Sequence, residues 1–147
     1  MAVRYSGSVN SVHYFSVLPF GLNDPAVKKK FLKEATVKGK QYYKIEVRFS
    51  EEGGGEDFDD VFIYWIGKED FLLDYLAYSY RVNGGGMRFR EATNKRIVNG
   101  IRFVDYNNYK AKNASTKLEN LDKAFENSTL NKLSEINLEN VTVTFSN

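Results

Sequence analysis

The chain has 147 residues, 42% hydrophobic and 15% aromatic, with 10 Tyr, 11 Phe, 1 Trp and no Cys. That suffices for one domain with a core, falls short of the roughly 200 residues a TIM barrel needs, and rules out disulfide scaffolds, zinc ribbons and cysteine nucleophiles. Any His-based triad or zinc site must pass through the single His13, and a net charge of +2 exerts no long-range pull on nucleic acid or anionic membranes.

Met1 to Tyr5 lack a signal-peptide pattern, and no run approaches the roughly 18 apolar residues of a membrane span, so the chain as given is expected to be soluble. Ser8 to Val17 places Val9, Val12, His13 and Ser16 at helical spacing, with Pro19 and Gly21 as stops. Asp24-Pro25 reads as cap and first residue of a short helix over Ala26 to Lys33. Glu34 to Lys38 then joins Gln41 to Ser50 through Gly39-Lys40, a hairpin. In the second arm Tyr43, Ile45, Val47 and Phe49 share one face, and Tyr42, Lys44, Glu46 and Arg48 the other. Asp59 to Ile66 and Phe71 to Arg81 follow as strands around a turn at Gly67 to Asp70.

Beyond Gly84-Gly85-Gly86, Met87 to Thr93 and Lys95 to Val98 read as strand. Asn99-Gly100 is the strongest hairpin signal in the chain, leading into Ile101 to Tyr109. Thr116 caps a predicted helix with Leu118, Leu121 and Phe125 on one side, and Leu138 to Phe145 is a last predicted strand. The expectation is a single domain, residues 1–147, mainly β (α+β): a curved antiparallel half-barrel meander with one to three short helices.

The densest charge feature is the loop Glu51 to Asp60, six carboxylates around three glycines. Glu56, Asp57, Asp59 and Asp60 could ligate Ca²⁺, although the spacing is not that of an EF-hand and a solvated turn made flexible by glycine is the favoured reading. Arg88 and Arg90, two apart on a strand, share a face and form an anion-binding candidate with Arg102, against a surface ion-pair ladder. No helix follows the second glycine run, so it is not a phosphate loop. The aromatic stretches Tyr75 to Tyr80 and Phe103 to Tyr109 must supply core, yet they have enough rings left to line a groove. Its candidate residues are Phe62, Tyr64, Leu72, Leu76, Tyr78, Phe89 and Phe103. No lysine is singled out as a Schiff-base nucleophile.

The strings Ser8 to Phe15, Leu18 to Asp24, Gly53 to Trp65, Asp74 to Tyr80, Gly84 to Ala92 and Asn99 to Tyr106 resemble an uncharacterised family of bacterial secreted or lipid-anchored proteins, over nearly the whole chain. That family is similar to the LolA/LolB-like lipoprotein carriers, which fold as a curved half-barrel closed by helices. Some relatives carry a deoxyribose-phosphate aldolase label, but that enzyme is a TIM barrel with a Schiff-base Lys, and this sequence resembles neither. The resemblance supplies no catalytic residues. Members are longer, with an export signal, often a lipid-anchor Cys and extra strands ahead of the segment that resembles Tyr5 to Phe15. The resemblance thus implies a C-terminal portion of a longer half-barrel whose parent is periplasmic or anchored to the outer membrane.

The function implied is non-enzymatic binding of a lipid or other apolar small molecule on a concave aromatic face, without a cofactor and without nucleic acid. Membrane attachment would come only through a lipid anchor absent from this chain. An open sheet edge invites pairing into a homo-oligomer. The alternatives are a small hydrolase or lyase using acidic-loop carboxylates with an Arg, or a carbohydrate- or Ca²⁺-dependent binding module.

Overall fold

A computed structural model describes residues 13–53, 58–81 and 84–145. The fold is mainly β: the described residues form seven strands in one open antiparallel sheet, each bonded to its sequence neighbour in the order β1 to β7. These are β1 (Val27–Val37), β2 (Lys40–Phe49), β3 (Val61–Gly67), β4 (Leu73–Tyr80), β5 (Gly86–Val98), β6 (Ile101–Ala111) and β7 (Leu130–Ile136). Between β6 and β7 lie a 3₁₀ turn (Leu118–Asn120) and the short helix α1 (Leu121–Glu126).

The predicted hairpins form where left-handed backbone is needed. Lys38 and Gly39 between β1 and β2, and Asn99 and Gly100 between β5 and β6, all have positive φ. Both central residues of a two-residue turn adopt that conformation when its twist matches the strands, which is why Asn-Gly signals it so well.

Three expectations are corrected. Ala26 to Lys33 is not helical: Val27 to Phe31 pair with Phe49 to Ile45, and Asp24 instead accepts a hydrogen bond from the Ala26 amide in a local turn. A helix of that length is marginal alone, and a ladder along the whole edge of β2 outweighs the local signal. Leu138 to Phe145 forms no strand; it runs as a strap held by side chains. The Leu138 amide donates to Asp105, Arg96 donates to the Leu138 carbonyl and Asn99 to the Val143 carbonyl. The seventh strand lies earlier, at Leu130 to Ile136, where five consecutive exposed residues conceal any alternation. Thr116 makes no cap either, since Lys117 and Asn120 occupy the cap positions without side-chain bonds. Residues 13–16 are helical, and His13 among them is exposed; the predicted helix before residue 13 lies outside the described residues.

Both faces of the sheet are covered. On the first face Val47, Phe62, Tyr64, Leu76, Ala92, Val104 and Tyr106 lie beneath Tyr14, Phe15, Leu18 and Leu22. On the second face Tyr42, Ile63, Trp65, Tyr75, Ala77 and Phe89 lie beneath Leu121, Ala124 and Phe125. Alternation along β3 sends Phe62 and Tyr64 to one side and Ile63 and Trp65 to the other, so both faces are apolar. Four ladders carry register shifts, and such irregularities bend the strands.

One bulge has electrostatic consequences. Trp65 pairs with Tyr75 and Ile66 with Leu73, which leaves Asp74 without an opposite residue. Its buried carboxylate meets Lys95 at 2.6 Å, Lys40 at 2.8 Å and Arg102 at 3.1 Å, and Tyr42 donates to it at 3.1 Å. Burial would raise the Asp74 pKa, but the bonds from Lys40 and Lys95 hold it below the ordinary value.

Candidate functional site

The predicted groove residues do not share one surface. Phe62, Tyr64, Leu76 and Tyr78 belong to the first face, whereas Phe89 is fully buried on the second. Leu72 is exposed before β4, and Phe103 is half-buried outside both clusters. The first face is therefore the one that brings most of them together.

Its aromatic layer is continuous. Phe62 lies at its centre, 5.7 Å from Phe49, 5.9 Å from Tyr78 and 6.2 Å from Tyr64 between ring centroids. The covering segment adds Tyr14 at 5.8 Å and Phe15 at 6.2 Å from Phe62. Tyr14 and Tyr64 join their hydroxyls in a hydrogen bond of 2.5 Å, which fixes the cover over the middle of the sheet. Burial raises both phenol pKa values.

The basic row separates into unlike members. Arg102 is used by Asp74 and the Leu73 carbonyl. Arg88 lies 5.2 Å over the Tyr80 ring and donates to its neighbour's carbonyl at Met87. Arg90 is buried, 8% exposed, with its guanidinium 4.0 Å from the Phe15 ring centroid and 5.3 Å from that of Tyr78. It donates to the Tyr78 hydroxyl at 3.1 Å, while its Nε has no hydrogen-bond partner among the described residues. Among the described residues no carboxylate forms an ion pair with it. Around it Phe15, Ser16, Val104, Tyr106, Ile136 and Leu138 enclose a small cleft with room for about one water. Tyr106, beside it, has its pKa pushed up to about 12, chiefly by burial, although Arg102 and Arg90 pull the other way.

The acidic loop is only partly described, since Glu56 and Asp57 lie outside the described residues. Asp59 is exposed and stands 3.7 Å from Arg81, and Asp60 also has a partner. Among the described residues no three His, Asp or Glu side chains converge as a cation site would require.

The second face holds a cation that its sequence position conceals. Lys44, on the polar side of the predicted alternation, is completely buried. It pairs with Asp122 at 3.0 Å, donates to the Glu119 carbonyl and lies 4.9 Å over the Trp65 ring, while Trp65 itself donates to Asp122. Burial lowers its pKa, with Asp122 opposing. Every group there is satisfied by another, so the cluster clamps α1 to the sheet. On the same face Glu91 accepts from Lys38, Asn107 and Tyr109, bonds that keep its pKa low against the effect of burial.

Among the described residues no helix is long and apolar enough to cross a membrane. No characterised protein and no solved structure matches the chain. A family model does match, over residues 1–138, and by that match the chain belongs to a family of unknown function, DUF6503.

Proposed function

We propose that the protein is a non-enzymatic binding module that takes up a lipid or other apolar molecule on the first face of its sheet. The observation that carries this reading is the aromatic layer of Phe49, Phe62, Tyr64 and Tyr78 beneath a single short cover. Exchanging Tyr14, Phe15 and Leu18 for ligand would keep that layer dry, and burial of apolar surface at about 25 cal/mol per Å² would drive it before ordering costs. A relation to LolA/LolB-like carriers, a periplasmic or outer-membrane-anchored parent and self-association through an open sheet edge belong to the same proposal.

The test is uptake of N-phenyl-1-naphthylamine, a neutral dye that fluoresces in apolar surroundings. Saturable binding at about one dye per chain is expected, with an apolar tracer lipid competing. Phe62→Ala and Tyr14→Phe should change the affinity if the dye sits under the cover. Absence of saturable uptake by a folded sample would overturn the reading.

A further inference from the structure

We infer that Arg90 is a receptor for a carboxylate, so that the ligand of the first face is an amphiphile with an acidic head, a fatty acid in chemical class. This rests on the binding role just proposed and adds the identity of the head group.

Three observations converge. A guanidinium this buried normally has an anion beside it, because an unpaired charge out of water is costly. Arg90 has none among the described residues, although Asp74 gathers three cations elsewhere in the same sheet. Its Nε, shielded from solvent, has no hydrogen-bond acceptor among the described residues. The cleft it borders is otherwise lined mainly by apolar side chains and lies beside the segment that covers the aromatic layer, since Phe15 belongs to both.

The ring contacts explain how the charge is tolerated meanwhile. Phe15 and Tyr78 offer their faces to the cation, which moderates its desolvation without supplying a negative charge. They also hold the guanidinium in place, with Tyr78 taking one N–H and leaving Nε for an incoming oxygen. An entering carboxylate would displace Phe15, bond to Arg90 and place its alkyl chain along Phe62 and Phe49. Size favours a carboxylate over a phosphate: a cleft holding about one water opens more readily for two oxygens in a plane than for three around a tetrahedron.

The experiment compares laurate, dodecanol and dodecyl phosphate, each displacing the neutral dye from the whole chain. Laurate is expected to bind at least about tenfold more tightly than dodecanol, the scale of a charge-assisted hydrogen bond, and more tightly than dodecyl phosphate. Arg90→Met should bring laurate to within about twofold of dodecanol in the same variant. Proton–nitrogen spectra of the wild-type protein provide a check that requires no folded variant: the Arg90 Nε–H resonance should move with laurate and not with dodecanol. Equal binding of laurate and dodecanol, an immobile Nε–H signal or a preference that survives Arg90→Met would each overturn the assignment while leaving apolar binding intact. Dodecyl phosphate binding as well as laurate would overturn the carboxylate in particular. Failure of all three ligands and of the dye would remove the underlying reading too.

Discussion

Lys44 and Arg90 are both buried cations on central parts of one sheet, but they face opposite sides and have opposite surroundings. Lys44 is met by a carboxylate, a backbone carbonyl and an indole ring. Arg90 is met by two rings and one hydroxyl, with a nitrogen left over. A buried charge with its counter-ion in the chain closes an interface. One with no counter-ion among the described residues leaves an interaction open, the basis of the carboxylate proposal. The second face is thus finished by folding, and the first is where binding is expected.

The contrast can be broken by mutation. Asp122→Ala orphans Lys44 and should have the largest effect, lowering unfolding free energy by about 3–5 kcal/mol in urea titrations. The double change Lys44→Met with Asp122→Leu should recover most of that loss, because both charges leave together. If the single and double variants were equally unstable, the clamp would owe its strength to packing.

Asp74→Asn comes next, at about 1.5–3 kcal/mol, from weakened charge-assisted bonds to Lys40, Lys95 and Arg102. The same carboxylate sets a pH dependence. Its folded pKa is depressed, so its contribution is present above the unfolded value near 3.9 and is lost as pH falls through the folded value. Stability of the wild type should therefore drop more steeply below pH 4 than that of Asp74→Asn. Parallel curves would show that other carboxylates dominate.

Arg90→Met should leave stability within about 1 kcal/mol of the wild type, as relief of an uncompensated charge offsets the lost ring contacts. A loss as large as that of Asp122→Ala would mean that Arg90 is structural and would erase the contrast between the faces. The smallest effect belongs to Lys38→Ala, which removes an exposed lysine from Glu91; a change of about 0.2–1 kcal/mol is expected, diminishing in salt.

Much of this architecture is legible in the residues. Alternation located the central strands, and Asn99-Gly100 marked its turn, because side-chain period and turn backbone are local properties. Glu34 to Val37 is legible as a hairpin arm, whereas Val27 to Lys33 is not, since its conformation depends on the free edge of β2 and competes with a genuine local turn at Asp24. Leu130 to Ile136 was hidden for a related reason: an edge strand with five exposed residues in succession has no pattern to read. The site divides in the same way. That Arg88 and Arg90 share a face follows from a spacing of two. That Arg102 is neutralised depends on the bulge at Asp74, which the residues around Arg102 do not reveal. The burial of Lys44 is not legible, because it shares its face with Glu46 and Arg48 and nothing in Gln41 to Ser50 reveals that α1 lies over it.

The meander order of the sheet has a consequence for how the chain reaches this state. Among the described residues each strand after the first bonds to its predecessor, so none of these ladders waits for a distant partner. Loop-closure entropy is kept low at each step, which favours quick formation relative to sandwiches whose strands pair across the whole sequence. Strands can be added one after another onto the growing edge, each new one closing a ladder with the strand before it, as β7 does with β6.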